Sequence, residues 1–131
     1  MTQEEFIKVL ALHRAGYSYE IEGDRIIVTH GGFVDLRSLP SLPSGVVFKN
    51  GGGVDLQSLT SLPPGVEFRN GGSVNLRSLT SLPLGVEFKN EGSVYLGYLI
   101  GRWFKEWKGN IKGIASKRLL NVMIKQGVFV R

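Results

Sequence analysis

Apolar residues recur along residues 31–90 with a fixed period of 20 residues. The three copies of the unit read GGFVDLRSLPSLPSGVVFKN, GGGVDLQSLTSLPPGVEFRN and GGSVNLRSLTSLPLGVEFKN, and a fourth copy begins at Glu91 and breaks off after Ile100. Inside each copy, V-x-L and V-x-F alternate with period two, which is the pattern of β-strands. A unit this short cannot close a core alone, so the repeat predicts a solenoid in which neighbouring units bury each other.

The predicted core is a set of columns in which one residue type recurs in every unit. These columns are Val34, Val54, Val74 and Val94; Leu36, Leu56, Leu76 and Leu96; Leu39, Leu59, Leu79 and Leu99; Leu42, Leu62 and Leu82; Val46, Val66 and Val86; and Phe48, Phe68 and Phe88. Strands stacked at ~4.8 Å place each residue of a column against its own copies. We therefore expect two small parallel sheets that face each other across this core.

The corners between strands have their own repeated residues. One corner carries a proline, which lacks an amide proton and suits a position outside the sheets: Pro43, Pro63 and Pro83. The other carries glycine pairs at 31–32, 51–52 and 71–72, which we expect to supply positive φ angles. The asparagine that ends each unit is expected to bond the turn backbone as a polar ladder: Asn50, Asn70 and Asn90.

The N-terminal residues predict a helix followed by a β-hairpin. Thr2 and Glu5 have the spacing of a capping box. The helix that they begin carries a stripe at helical spacing, made of Phe6, Val9, Leu10, Leu12 and His13, and Gly16 is its expected C-cap. In the hairpin, Ile26 and Val28 precede Val46 and Phe48 by 20 residues, so this strand should open the solenoid and residues 17–22 should pair antiparallel at its edge.

The C-terminal residues predict a helical cap. Trp103 and Trp107 are four residues apart, as on one helical face, and a second helix should begin at Ser116 and end at Gly127. Its apolar residues Leu119, Leu120, Met123 and Ile124 would cover the open end of the core. We therefore expect one mainly β domain with α caps: a helix and hairpin cap (1–30), a β-solenoid of leucine-rich-like repeats (31–100) and a basic helical cap (101–131).

The repeat unit has the pattern V-x-L-x-S-L-T-S-L-P-x-G-V-x-F-x-N-G-G. It resembles the repeat units of short leucine-rich-like β-solenoid proteins of bacteriophages and gut bacteria. The resemblance covers residues 26–100. It departs at Pro40, where later copies have threonine, and at Glu91, where a glycine is expected. The resemblance implies an accessory protein of a phage or mobile element that binds and inhibits a host protein complex, for example a defence nuclease, in the manner of an anti-CRISPR protein.

Positive charge is concentrated at the C-terminal end. Residues 101–131 have a net charge of +7 within a chain of net charge +5. Aromatic and basic side chains interleave there, which is a pattern compatible with base stacking between phosphate contacts. The candidate residues are Arg102, Trp103, Lys105, Trp107, Lys108, Lys112, Lys117 and Arg118. Two interpretations stay open: a nucleic-acid site, or a plug whose lysines keep the cap soluble.

A second candidate set stacks on one sheet of the solenoid and consists of Lys49, Arg69 and Lys89. Glu67 and Glu87 share its face, so the column is expected either to be neutralised or to meet an anionic partner. On the other sheet, Arg37 and Arg77 should lie near Asp35 and Asp55. Ile27 and Val47 should point outward where later turns carry glutamate, which suggests either a homodimer or cover by the N-terminal helix.

Catalytic patterns are absent from the sequence. His13 and His30 lie on different elements, there is no cysteine, and the serines recur with the corners. We therefore expect no enzyme, no cofactor and no metal. The cysteine-free composition and the absence of a signal peptide or long apolar run indicate a soluble cytoplasmic protein, in the host cytoplasm if it is phage-encoded. The leading hypothesis is a binding module with a protein partner; the alternative is nucleic-acid binding through the basic C-terminal segment.

Overall fold

The structure, a computed structural model, describes residues 1–12, 16–96, 121 and 124–125. In this part the chain is mainly β with one short helix, and its parallel strands stack as a β-solenoid of about four turns. The fold class predicted from the repeat is confirmed. The last residues of the predicted solenoid (97–100) and most of the predicted C-terminal cap (101–120, 122–123 and 126–131) lie outside the described residues.

The strands form two sheets, named here sheet A and sheet B. Sheet A has five strands, which in spatial order are β1 (Tyr19–Glu22), β2 (Arg25–Val28), β4 (Val46–Phe48), β6 (Glu67–Phe68) and β8 (Glu87–Phe88). Sheet B has four strands: β3 (Val34–Asp35), β5 (Val54–Asp55), β7 (Val74–Asn75) and β9 (Val94–Tyr95). All neighbours are parallel except β1 and β2. Each turn of the solenoid therefore contributes one strand to each sheet.

The register follows the sequence period. Val34 pairs with Val54, and Phe48 pairs with Phe68, so each residue lies on its counterpart 20 positions away. The opening strand obeys the same rule, because Ile26 pairs with Val46. The predicted role of the hairpin as the first half-turn is confirmed.

The core between the sheets is one continuous cluster of the predicted columns. Phe48, Phe68 and Phe88 are almost fully buried, and their rings stack in parallel with centroid separations of 5.3 and 5.2 Å. That separation is close to the ~4.8 Å spacing of paired strands, so the backbone ladder sets the distance between the rings. Burial of these columns is the main stabilising term of the fold.

The asparagine corner is built as predicted. The amide nitrogen of Asn50 donates to the carbonyl oxygens of Gly32, Gly52 and Gly53, each at 3.0 Å. Asn70 and Asn90 repeat this arrangement one and two turns later. All three side chains are buried, so the ladder satisfies turn carbonyls that water cannot reach.

The role predicted for the glycine pairs is wrong. Positive φ occurs at Gly16, Gly23, Gly45 and Gly65, and not at residues 31–32, 51–52 or 71–72. The pairs at 51–52 and 71–72 are needed because neighbouring turns approach closely at this corner, whereas a Cβ on Gly31 would meet nothing within 4 Å. A Cβ on Gly52 would lie 2.8 Å from the backbone nitrogen of Phe33, and one on Gly72 would lie 2.6 Å from that of Gly53. Backbone proximity, and not a left-handed conformation, selects glycine there.

The N-terminal cap consists of α1 (Gln3–Leu12) and the β1–β2 hairpin. The Glu5 backbone N–H donates to the Thr2 hydroxyl at 3.1 Å, which caps the helix as predicted. Phe6 and Leu10 are buried in the core, whereas Leu12, predicted to share their stripe, is 84% exposed. Leu12 belongs to the last described turn of the helix, beyond the part that packs on the core. His13 lies outside the described residues.

Two further predictions concern the outer side of sheet A and its far edge. Ile27 and Val47 are buried, at 4% and 2% exposure, so they present no exposed apolar surface for self-association. They do not belong to the core cluster that contains Phe6 and Leu10 of α1. At the far edge, Asn121 pairs with the backbone of Phe88, accepting from its nitrogen at 2.9 Å and donating to its oxygen at 2.8 Å. Ile124 is buried in the core, as predicted for the C-terminal cap.

Candidate functional site

A groove of about 590 Å³ crosses the outer side of sheet B and is the candidate functional site. It is lined by Phe33, Gly53, Val54, Asp55, Ser73, Asn75, Arg77 and Tyr95. The solenoid register explains the grouping, since residues at the same position of successive turns lie side by side. Positions 33, 53 and 73 form one row and positions 35, 55, 75 and 95 form another.

Two exposed aromatic residues mark the ends of the groove along the solenoid axis. Phe33 on the first turn is 53% exposed and Tyr95 on the fourth turn is 45% exposed. Between them the first row holds only glycine and serine. A Cβ on Gly53 would lie 3.2 Å from the Phe33 ring, so the ring lies directly over this glycine. The small residues leave the space between the two aromatic ends open.

The polar floor of the groove is only partly occupied by internal hydrogen bonds. Asp55 accepts the Gln57 backbone N–H on Oδ1 at 3.1 Å, and among the described residues its Oδ2 accepts no hydrogen bond. Asn75 Oδ1 accepts both the backbone N–H and the Nε–H of Arg77, at 3.2 and 3.3 Å. The Asn75 amide nitrogen and the terminal Arg77 nitrogens thus remain as donors. Among the described residues neither Asp55 nor Arg77 forms an ion pair.

This arrangement offers binding chemistry. The groove contains one negative and one positive side chain, hydrogen-bonding groups of both kinds, and aromatic surface at both ends. Its residues include no histidine or cysteine, and the Ser73 hydroxyl accepts the backbone N–H of Ser93 at 3.2 Å. No group of three potential metal ligands occurs in the part of the chain that the structure describes.

The predicted cation column on sheet A is present, and two of its three members are paired. Arg69 Nε lies 2.8 Å from Glu67 Oε2, and Lys89 Nζ lies 3.0 Å from Glu87 Oε2. Glu67 Oε1 also lies 2.9 Å from Arg25 Nη2, and this ion pair was not predicted from the sequence. Two positions before Lys49 the chain has Val47, where the later turns have a glutamate. Within the described ranges Lys49 forms no ion pair.

The electrostatics of Glu67 reflect this network. Partial burial raises the pKa of the Glu67 carboxyl, but the hydrogen bonds and charges of Arg69 and Arg25 outweigh burial and hold its pKa below the ordinary value. The same hydrogen bond to Glu67 raises the pKa of Arg69. The column is therefore largely neutralised, as one of the two interpretations predicted. Its use as a binding site stays a prediction.

The outward charges of sheet B are neutralised less completely than predicted. Arg37 pairs with Asp35 at 3.3 Å. Arg77 instead bonds Asn75 and leaves Asp55 without a cation. The reason lies in the residues two positions away on the same turn. Asparagine stands two positions before Arg77, and glutamine stands two positions after Asp55, so neither charge has an opposite charge there.

The predicted C-terminal candidates cannot be placed next to these faces. All eight candidates lie outside the described residues: Arg102, Trp103, Lys105, Trp107, Lys108, Lys112, Lys117 and Arg118.

Within the part of the chain that the structure describes, no helix has the length and apolar character that a membrane span requires.

The groove itself was missed by the sequence analysis. A signal was present in the two outward columns, where Phe33 replaces the small residues Gly53 and Ser73, and Tyr95 replaces aspartate or asparagine. Such changes at outward positions break the repeat without affecting its core. Comparisons of the chain with protein families, curated proteins and solved structures found no match.

Proposed function

We propose that this protein is a non-enzymatic binding module that engages a partner protein through the groove on sheet B. One observation carries the proposal: Phe33, Arg77 and Tyr95 are all exposed and line the same groove. Aromatic residues and arginine are the types enriched among residues that dominate protein–protein binding energy. Aromatic side chains bury a large apolar area, so covering these exposed rings with a partner contributes strongly to the binding free energy.

Charge favours a protein over a nucleic acid at this face. Asp55 and Arg77 offset each other within the groove, and the neighbouring Asp35 and Arg37 are paired. Binding to a phosphate backbone needs an excess of cations, which this face does not offer. Nucleic-acid binding remains the alternative for the basic C-terminal segment, where it rests on sequence alone.

The biological setting of the proposal rests on the repeat pattern. Its resemblance to phage repeat proteins supports an accessory protein that binds and inhibits a host complex such as a defence nuclease. In that role the solenoid supplies a regular surface, because its turns stack in one register.

The proposal is tested by substituting the aromatic ends with residues that the repeat already uses at those positions. Phe33→Ser and Tyr95→Asn are therefore compatible with the fold. Each should weaken capture of the partner from a host lysate by at least about tenfold, because truncating an aromatic residue that dominates binding costs about 2 kcal/mol or more and tenfold corresponds to about 1.4 kcal/mol. The measurement is quantitative mass spectrometry of proteins retained by the immobilised chain.

Leu84→Ser is the matched control. Leu84 is also apolar and 57% exposed, but it lies on a corner away from the groove. The proposal is wrong if proteins retained by the wild type are retained equally by the two groove variants, or lost equally with Leu84→Ser.

A further inference from the structure

Strand β1 is the edge of sheet A among the described residues, and its own backbone bonds identify which of its groups are free. The Thr29 N–H donates to the Ser18 oxygen, and Ile26 N and Val28 O bond toward β4. Antiparallel pairs alternate between bonded and non-bonded. Glu20 and Glu22 therefore bond Ile27 and Arg25, and the N–H and C=O groups of Tyr19 and Ile21 point away from the sheet.

The side chains of β1 divide by face. Tyr19 and Ile21 lie opposite Val28 and Ile26, which point into the core, so they extend the apolar side of the sheet beyond its last covered strand. Ile21 is 59% exposed and Tyr19 is 36% exposed. Glu20 and Glu22 occupy the other face and are also exposed.

The two glutamates have no cation of their own in the described structure. Arg25, the nearest basic residue in register, lies opposite Glu22 but is bound to Glu67 at 2.9 Å. The edge therefore presents the unbonded N–H and C=O groups of Tyr19 and Ile21, with apolar side chains on one face and acidic side chains on the other. We infer that β1 is a docking edge for one extended segment of a partner protein whose residues alternate between apolar and basic side chains.

The opposite edge of sheet A shows what a closed edge looks like in this fold. There the amide of Asn121 bonds both backbone groups of Phe88, in place of a further strand. No described residue does this for β1. An added strand gains main-chain hydrogen bonds from the free edge and specificity from alternate side chains.

A second copy of this chain is a poor occupant. Antiparallel pairing of two β1 strands that uses the free groups of Tyr19 and Ile21 places Glu20 opposite its own copy. Like charges directly opposite each other destabilise a strand pair. The acidic residues therefore select against self-association and in favour of a basic strand.

The test is amide hydrogen exchange, measured by NMR on the full chain, with a peptide of alternating valine and lysine as the probe. The Tyr19 and Ile21 amides should exchange at least about tenfold more slowly at saturating peptide. The Glu20 and Glu22 amides, already bonded to β2, should change little. A peptide of alternating valine and glutamate should have no effect, and the double variant Glu20→Lys, Glu22→Lys should reverse this preference.

Ile21→Pro supplies a second variant. It removes one free N–H without touching a bond to β2, and proline is tolerated on edge strands in this orientation. The variant should keep the melting temperature within a few degrees and lose most of the peptide effect. No slowing at Tyr19 and Ile21 with about 1 mM peptide, or equal slowing with both peptides, would overturn the inference. The groove variants should leave the effect intact, because this site does not depend on the groove.

Discussion

At the residue scale, the asparagine ladder is the most constrained feature of the solenoid. The amide nitrogen of Asn70 faces three carbonyl oxygens at 3.0, 3.0 and 3.4 Å. The amide oxygens of Asn50 and Asn70 are buried without a partner. The side chain thus serves as a donor only. The sequence, which shows an asparagine at the end of each 20-residue unit, could predict the contact but not that only the donor side of the amide is used.

The donor role predicts a specific sensitivity. Asn70→Asp replaces the amide nitrogen with an oxygen that faces the same three carbonyl oxygens in a buried site. We expect a loss of about 3 kcal/mol or more in the free energy of unfolding, since a buried charge would lack any donor. Urea denaturation measures it.

Asn75→Asp is the control for that prediction, because it makes the same chemical change on the outward column where Asp35 and Asp55 already stand. It should alter the free energy of unfolding by less than about 0.5 kcal/mol. Similar losses in the two variants would show that the ladder is not selective for a donor.

At the element scale, the outer face of sheet A carries ion pairs within turns and one ion pair between turns. Arg25 on β2 reaches Glu67 on β6 across β4, so this carboxylate links two turns that are not direct neighbours. The sequence predicted pairs within a turn from residues two positions apart. It could not predict the ion pair between Arg25 and Glu67, because Arg25 precedes the repeat. The pair also depends on Val47, the uncharged residue next to Glu67 on the intervening strand.

The lowered pKa of Glu67 gives this network a pH dependence. A carboxyl whose pKa is lower in the folded state stabilises the fold above its unfolded pKa and loses that contribution as pH falls through the folded pKa. Glu67→Gln should therefore cost about 1 kcal/mol at neutral pH and almost nothing in strong acid. Chemical denaturation at both pH values measures the difference.

Glu87→Gln provides the comparison, since Glu87 has Lys89 as its one ion-pair partner among the described residues and is more exposed. Its effect should be smaller than that of Glu67→Gln at neutral pH. A difference between wild type and Glu67→Gln that persists unchanged in acid would show that the network does not depend on the charge of Glu67.

At the scale of the whole molecule, the repeat specifies the architecture and leaves the site open. The 20-residue period and its columns were enough to predict two parallel sheets, their register and the opening half-turn, because in-register stacking places each residue on its copy 20 positions away. The groove depends on Phe33 and Tyr95, two residues that depart from their columns. These departures are visible in the sequence, but only the structure shows that the two side chains bound one groove.

The correction at the glycine corner has the same origin. Glycine fits either a positive φ or a close backbone approach, and sequence alone does not separate the two. Only the stacking of turns shows that Gly52 and Gly72 lie against the preceding turn. Local preference was sufficient for the strands, while the corners and the site required knowledge of what lies one turn away.

The measurement that tests the central claim most directly is site-specific photo-crosslinking in host cells. A photoreactive phenylalanine analogue would replace Tyr95 in the groove, Lys89 on sheet A or Lys105 in the basic segment, one position at a time. We predict a discrete crosslinked protein from position 95 and none from position 89. No protein adduct at position 95, together with crosslinked nucleic acid at position 105, would contradict the account and move the function to the C-terminal segment.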